Sequence, residues 1–176
     1  MFRLPLVTLA PLALVACGNQ PEVIAENASI ENVTQAARAA NRIEPGKWRT
    51  ETTIESIEIA GMPAAVAEAM KQQLGIQGTQ KSEACVTREQ AEQPPEKLLG
   101  GETCRYETFE MKGGKLNAVM ACKGSDLGAA NGTMRMTISG DYGGTGYDLR
   151  GVAEMDMGQK MTMRTHVKGA RIGDCT

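Results

Sequence analysis

Paired methionines are the residues of this chain whose type and spacing could do chemistry. Methionine occurs 11 times in 176 residues, and six copies form three pairs separated by one residue: Met134 with Met136, Met155 with Met157, and Met161 with Met163. In a β-strand this spacing brings both thioethers of a pair to one face, and soft sulfur ligands favour Cu(I). Methionine is also a flexible residue that fills protein cores, and a chain with few aromatic residues needs other large apolar side chains for its core. We favour core packing and keep Cu(I) binding as the alternative.

Residues for acid–base or nucleophilic catalysis are sparse. His166 is the single histidine, and in a predicted strand it shares the parity of Arg164 and Lys168, the solvent side. Glu154 and Asp156 also share one strand face, as charges do in any half-solvated strand. A hydrolase needs a nucleophile, a base and a group that orients the base. We therefore expect no catalytic residues, no enzymatic activity and no cofactor.

The first twenty residues have the features of an export signal. Residues 1–16 carry one charge, Arg3, before an apolar run shorter than the roughly 20 residues that span a bilayer. The segment Leu14-Val15-Ala16-Cys17 resembles the lipobox of bacterial lipoproteins, which implies removal of the leader and acylation of Cys17. Two or more acyl chains anchor a protein stably. In enteric lipoproteins a residue such as Gly18, instead of Asp, favours the outer membrane over the inner.

Four further cysteines, an even number in an exported chain, favour two disulfides over free thiols. Four cysteines allow three connectivities. Cys104 and Cys122 lie equally far from Gly113 in a hairpin pattern, so they would face each other across it. Cys85 and Cys175 then remain for one another. Zinc usually needs close Cys-x-x-Cys spacing, which is missing, so we expect no metal site of that kind.

Charge composition argues against a nucleic-acid partner. The whole chain has 19 Lys and Arg and 21 Asp and Glu; removing Arg3 with the leader leaves 18 against 21. These charges are nearly balanced and show no basic cluster, so nothing supports binding to a polyanion.

Periodicity predicts the elements that would position these residues. Residues 17–44 are polar and weakly helical, which predicts a tether with a possible short helix. Alternation from Trp48 predicts a strand with a bulge near Ser56, and residues 63–75 have the period of an amphipathic helix. Thr87 and Gln90 form a capping box for a second short helix. Strands and turns follow from Cys104 to the end.

These elements predict a mainly β domain, with minor α content, over residues 45–176. We expect a curled antiparallel sheet or a partly closed barrel of six to eight strands, with one or two short helices.

Six short motifs carry a resemblance over residues 44–176. They are Pro45-Gly46-x-Trp48, Gly61-Met62-Pro63, Cys85-Val86-Thr87, Cys122-Lys123-Gly124, Met161-Thr162-Met163 and Arg171-Ile172-Gly173-Asp174-Cys175. In this order they resemble the bacterial envelope family catalogued as domain of unknown function 3617. The resemblance implies a periplasmic or lipid-anchored β-rich domain with paired cysteines, and it brings no activity with it.

The sequence thus predicts a lipid-anchored protein of the bacterial envelope that faces the periplasm and has a non-enzymatic binding or structural role. Its expected partners are the membrane, through the lipid on Cys17, and an envelope protein or a small apolar ligand such as an acyl chain. The apolar ligand requires an interior cavity on the order of several hundred Å3. The Cu(I) alternative requires at least three of the paired methionine sulfurs to converge with access to solvent.

Overall fold

The computed structural model describes residues 22–40, 43–73, 78–92, 103–124 and 131–175. Their strands are β1 (Val23–Ser29), β2 (Gly46–Ile59), β3 (Thr79–Val86), β4 (Cys104–Lys112), β5 (Lys115–Lys123), β6 (Thr133–Gly143), β7 (Gly146–Asp156) and β8 (Lys160–Gly173). Their helices are α1 (Ile30–Ala40), α2 (Ala64–Gln73) and α3 (Arg88–Glu92). The strands form one antiparallel sheet in the order β1-β4-β5-β6-β7-β8-β2-β3. The sheet is open, with β1 and β3 at its edges, and this confirms the predicted fold class.

The segment expected to be a tether contributes an edge strand and a helix to the domain. Strand β1 pairs with β4, and α1 follows it after Ser29, whose Oγ accepts a hydrogen bond from the backbone of Asn32 at 3.2 Å. Asn27 has a positive φ of 49°, a conformation that asparagine tolerates better than most residues. This irregularity disturbs the alternation that would have predicted β1. The sheet therefore extends to the N-terminal side of residue 45.

Residues 1–21 lie outside the described part of the chain. The predicted leader and lipobox, with Cys17, belong to that segment and stay predictions. None of the described helices is both long and apolar enough to cross a membrane.

Local signals in the sequence match the structure at two points. The pairing of β2 with β8 shifts its register between Ile54 and Ser56, where the change of parity predicts a bulge. The backbone N–H of Thr87 donates to Gln90 Oε1 at 2.9 Å, and the backbone N–H of Gln90 donates to Thr87 Oγ1 at 3.2 Å. This reciprocal pair is the predicted capping box, and it begins α3.

The buried core lies at the β1 end of the sheet. The face that carries it, here called the apolar face, has on β5 the residues Leu116, Ala118, Met120 and Cys122, all buried. Helix α1 packs on this end through Val33. Residues of the same face on β6 and β8, such as Met136 and Val167, are only partly buried. The apolar face is thus well covered at β1, β4 and β5 and less covered towards β2.

The opposite face, here called the polar face, carries alternating charges. Across the strands from β5 to β3, one row of cross-strand partners joins Lys115, Asp141, Asp148, Lys168, Glu51 and Lys81. Three neighbouring pairs in this row are ion pairs, among them Asp148 with Lys168 at 3.1 Å, whereas Asp141 and Asp148 are adjacent like charges. Exposed pairs of this kind add little stability individually, but they leave a charge-balanced surface, which agrees with the argument against a nucleic-acid partner.

Candidate functional site

Five sulfur-containing residues form one row across the apolar face. Direct cross-strand partners join them in the order Cys104, Cys122, Met134, Met155 and Met161, on the consecutive strands β4 to β8. We call this set the sulfur row. Directly opposed residues have Cβ atoms about 4.5–5.5 Å apart, so three thioethers stand side by side on β6, β7 and β8. Regular alternation within each strand, together with hairpin register, produces this arrangement.

The remaining paired methionines lie elsewhere. Met136 and Met163 belong to the next row of the apolar face, and Ala153 stands between them. Met157 follows β7 in the turn and is 44% exposed. The structure therefore brings three of the six predicted methionines, Met134, Met155 and Met161, into one row and places the other three outside it.

A solvent-accessible cleft of 470 Å3, here called the row cleft, opens at the sulfur row. Strand alternation places the side chains of lining residues such as Asp156 and Lys160 on the polar face, so the cleft opens on that face. The sulfur row lines it through the strand backbone, and its side chains point to the apolar face. Among the described residues no group of three His, Cys, Asp or Glu side chains could hold a metal ion. Thioether sulfurs are thus the candidate metal ligands in this part of the chain.

The cysteines form two disulfides, Cys104–Cys122 and Cys85–Cys175. This is the predicted connectivity. The first joins directly opposed residues of β4 and β5 whose Cα atoms are 4.0 Å apart. The second spans 90 residues and joins edge strand β3 to the chain beyond β8. Both disulfides therefore fix strand edges and ends, and neither leaves a thiol for chemistry.

A second, larger cleft lies between α2 and the sheet. This α2 cleft measures 580 Å3. Its apolar lining residues are Ile57, Ile59, Ala60, Met62, Ala64 and Ala67. Its size falls within the roughly 300–1,000 Å3 of typical small-molecule sites. It is open to solvent, and its charged lining residues are Glu55, Glu58, Glu68 and Lys160.

The charged residues of the α2 cleft differ in their partners. Glu55 Oε1 lies 2.7 Å from Arg150 Nη1, and Glu58 Oε1 lies 2.5 Å from Arg164 Nη1. Lys160 lines both the α2 cleft and the row cleft, and the ion pairs found among the described residues do not include it. Lys160 is therefore an available cation at the point where the two clefts meet.

Residues 43–175 match the family model described as Protein of unknown function (DUF3617). The chain belongs to this family. The DUF3617 match begins just before β2 and includes both disulfides and both clefts, whereas β1 and α1 precede it. No curated protein and no solved structure matches the chain. The DUF3617 description gives no activity, so a function must be argued from the geometry.

His166 of the DUF3617 domain lies on the polar face, the side that its parity predicts, but its side chain is only 15% exposed. Its Nε2 lies 2.5 Å from Asp148 Oδ1, and its Nδ1 lies 3.8 Å from Glu55 Oε1. The hydrogen bond with His166, and then the one from Lys168, lowers the pKa of Asp148. Neighbouring Thr53 is hydrogen-bonded to Thr79 at 2.7 Å. These contacts make His166 part of a hydrogen-bonded cluster with Asp148 and Glu55 on the polar face.

An aromatic cluster at one end of the DUF3617 apolar face was not predicted. The rings of Trp48 and Tyr147 stack with centroids 6.1 Å apart. Trp48 Nε1 donates to the backbone oxygen of Glu44 at 2.9 Å, and the hydroxyls of Tyr147 and Thr50 lie 3.2 Å apart. Trp48 and Tyr147 are almost 100 residues apart in sequence, so only the strand order places them together. The cluster closes the end of the face opposite the sulfur row.

Proposed function

We propose that the protein is a lipid-anchored envelope protein that faces the periplasm and binds a lipid with an acyl chain and an anionic headgroup. The acyl chain occupies the α2 cleft. The observation that carries this proposal is an open cleft of 580 Å3 whose lining includes the apolar residues Ala60, Met62, Ala64 and Ala67 beside the sheet. Such a cleft shields methylenes from water at about 0.8 kcal/mol each.

Helix α2 supports the proposal because it packs lightly on the sheet. Among its side chains that the structure describes, Ala67 alone is buried, at 5% exposure, and Val66 is 49% exposed. A helix with so small a buried surface can adjust its distance from β2 when a chain enters. An alkyl chain beneath it would cover Met62, which is partly exposed, and Ala64, which is exposed.

Charge supports an anionic headgroup. Three carboxylates and one ammonium group line the cleft. Glu55 and Glu58 are engaged by arginines, Glu68 also has a partner, and the ammonium group is that of Lys160. A carboxylate or phosphate at the mouth would gain a charge-assisted hydrogen bond from its ammonium group. The neutral ester of the same acyl chain would not gain this contact.

The lipobox supports the location. A lipid on Cys17 would keep the domain close to a membrane surface, where acyl-chain ligands are available. The two disulfides agree with an oxidising compartment.

Binding of fluorescent palmitate to the full chain tests the proposal. Ala64 lines the α2 cleft, and Ala65, the next residue of α2, is exposed and does not line it. The phenyl ring of Ala64→Phe displaces at least two methylenes of the ligand, so we expect affinity to fall about tenfold. Ala65→Phe is the matched control and leaves the affinity unchanged. Equal affinities for both variants, or no binding by the parent chain, contradict the proposal.

A second pair of variants tests the headgroup. Lys160→Gln lowers the affinity for palmitate and leaves that for its methyl ester unchanged. Lys115, which is paired with Asp141 on the polar face, provides the control Lys115→Gln. An equal loss for acid and ester in Lys160→Gln would remove Lys160 from the site.

A further inference from the structure

Met155 is the centre of three adjacent thioethers. It is the direct cross-strand partner of Met134 on β6 and of Met161 on β8, and all three side chains lie on the apolar face and are only partly buried. Each has rotatable bonds enough to turn its sulfur towards a common point. The three residues thus combine adjacency, flexibility and access to solvent.

We infer that Met134, Met155 and Met161 form a Cu(I)-binding site on the apolar face. Thioethers are soft neutral donors, and Cu(I) is the soft ion among the common biological metals. The single histidine, His166, lies on the opposite face of the sheet. Among the described residues, no group of His, Cys, Asp or Glu side chains could bind a borderline or hard metal ion. Metals that prefer nitrogen or oxygen therefore lack a comparable site among the described residues.

Neighbouring sulfurs do not complete the site. Cys104 and Cys122 are oxidised to a disulfide, whereas metal ligation needs the thiolate. Met120 is 2% exposed and lies within the core. Met136 and Met163 lie one row further along the apolar face, two residues from Met134 and Met161, and are not directly opposite Met155. The site is consequently a three-sulfur site.

The donor type predicts how affinity depends on pH. Cysteine, histidine and carboxylate ligands must lose a proton before they bind a metal, so their affinity rises with pH. A thioether carries no such proton. Cu(I) affinity at this site is therefore constant between about pH 5 and 8, the range in which a histidine ligand would titrate.

An anaerobic competition titration of the full chain against Cu(I)–bicinchoninate tests the inference. We expect one Cu(I) per chain, an affinity independent of pH, and an X-ray absorption spectrum with only sulfur neighbours. Met155→Leu nearly conserves the side-chain volume. We expect it to lower the Cu(I) affinity at least 10- to 100-fold, because the loss of a residue that merely orients a metal ligand already has an effect of that size. Met157→Leu, outside the row, is the matched control and keeps full affinity.

Met134→Leu and Met161→Leu must each lower the affinity as well, and they decide the matter if Met155→Leu does not fold. Absence of Cu(I) binding, nitrogen or oxygen neighbours in the spectrum, or equal losses for Met155→Leu and Met157→Leu would overturn the inference. Fluorescent palmitate must bind Met155→Leu as it binds the parent chain. This readout separates a failure of the metal site from a failure of the lipid site.

Discussion

The ring of Tyr147 lies over Gly169, its direct partner on the neighbouring strand β8. A Cβ atom at position 169 would overlap the ring and come within 2.6 Å of the phenolic oxygen. The ring cannot simply move aside, because it stacks on Trp48 and its hydroxyl is hydrogen-bonded to Thr50. The lack of a side chain at Gly169 thus leaves room for the ring of Tyr147.

Gly169→Ala is therefore expected to destabilise the domain by about 1–3 kcal/mol, the usual cost of overpacking. Trp48 is the single tryptophan, so its fluorescence should report the displaced ring while urea unfolding gives the stability. Gly143→Ala is the control, because the nearest atom to a Cβ there is 3.7 Å away. If both variants unfold at the same urea concentration, the ring does not depend on Gly169.

The disulfide Cys85–Cys175 is expected to stabilise the fold chiefly through loop closure. It spans 90 residues, which corresponds to about 4.6 kcal/mol in the chain-entropy model. Because β3 is an edge strand paired only with β2, Cys85→Ala combined with Cys175→Ala should also speed amide exchange in β3 first. Urea unfolding and hydrogen exchange measure the two effects. If amide protection decreases equally in all strands, the prediction for β3 is contradicted.

The Asp148–His166 contact predicts a defined pH dependence. The folded-state pKa of Asp148 lies below its ordinary value of 3.8, because His166 and then Lys168 stabilise the carboxylate. Stability from this shift is present above about pH 4 and is lost as the pH falls through the folded-state value. Asp148→Asn should be less stable than the parent at neutral pH, and the difference should shrink below about pH 4. Urea midpoints across this range check it, and a difference that grows towards acid would contradict it.

The sequence predicted those features that depend on local patterns. The alternation of Met134, Met136 and Ile138 predicts a strand, and the symmetry of Cys104 and Cys122 about a glycine turn predicts their pairing. A short edge strand such as β1, whose regular pattern is interrupted at Asn27, gives no such signal.

Relations between strands were harder to predict. The sulfur row depends on the register of three hairpin-connected strands, and a shift of one residue would send Met155 to the other face. The α2 cleft depends on how closely a weakly amphipathic helix approaches β2, which a one-dimensional pattern does not contain. The position of His166 in the alternating pattern predicts which face of the sheet it lies on, but not how little of it is exposed. Its exposure depends on Asp148 and Glu55, which cover it from other strands.

Mass spectrometry of the protein extracted gently from its own membranes tests the central claim most directly. The account predicts a chain that begins at Cys17 and is acylated there, lacks the four thiol hydrogens of its two disulfides, and carries a lipid that dissociates under activation. A chain that keeps its leader without acylation, or whose four other cysteines alkylate without a reductant, would contradict it.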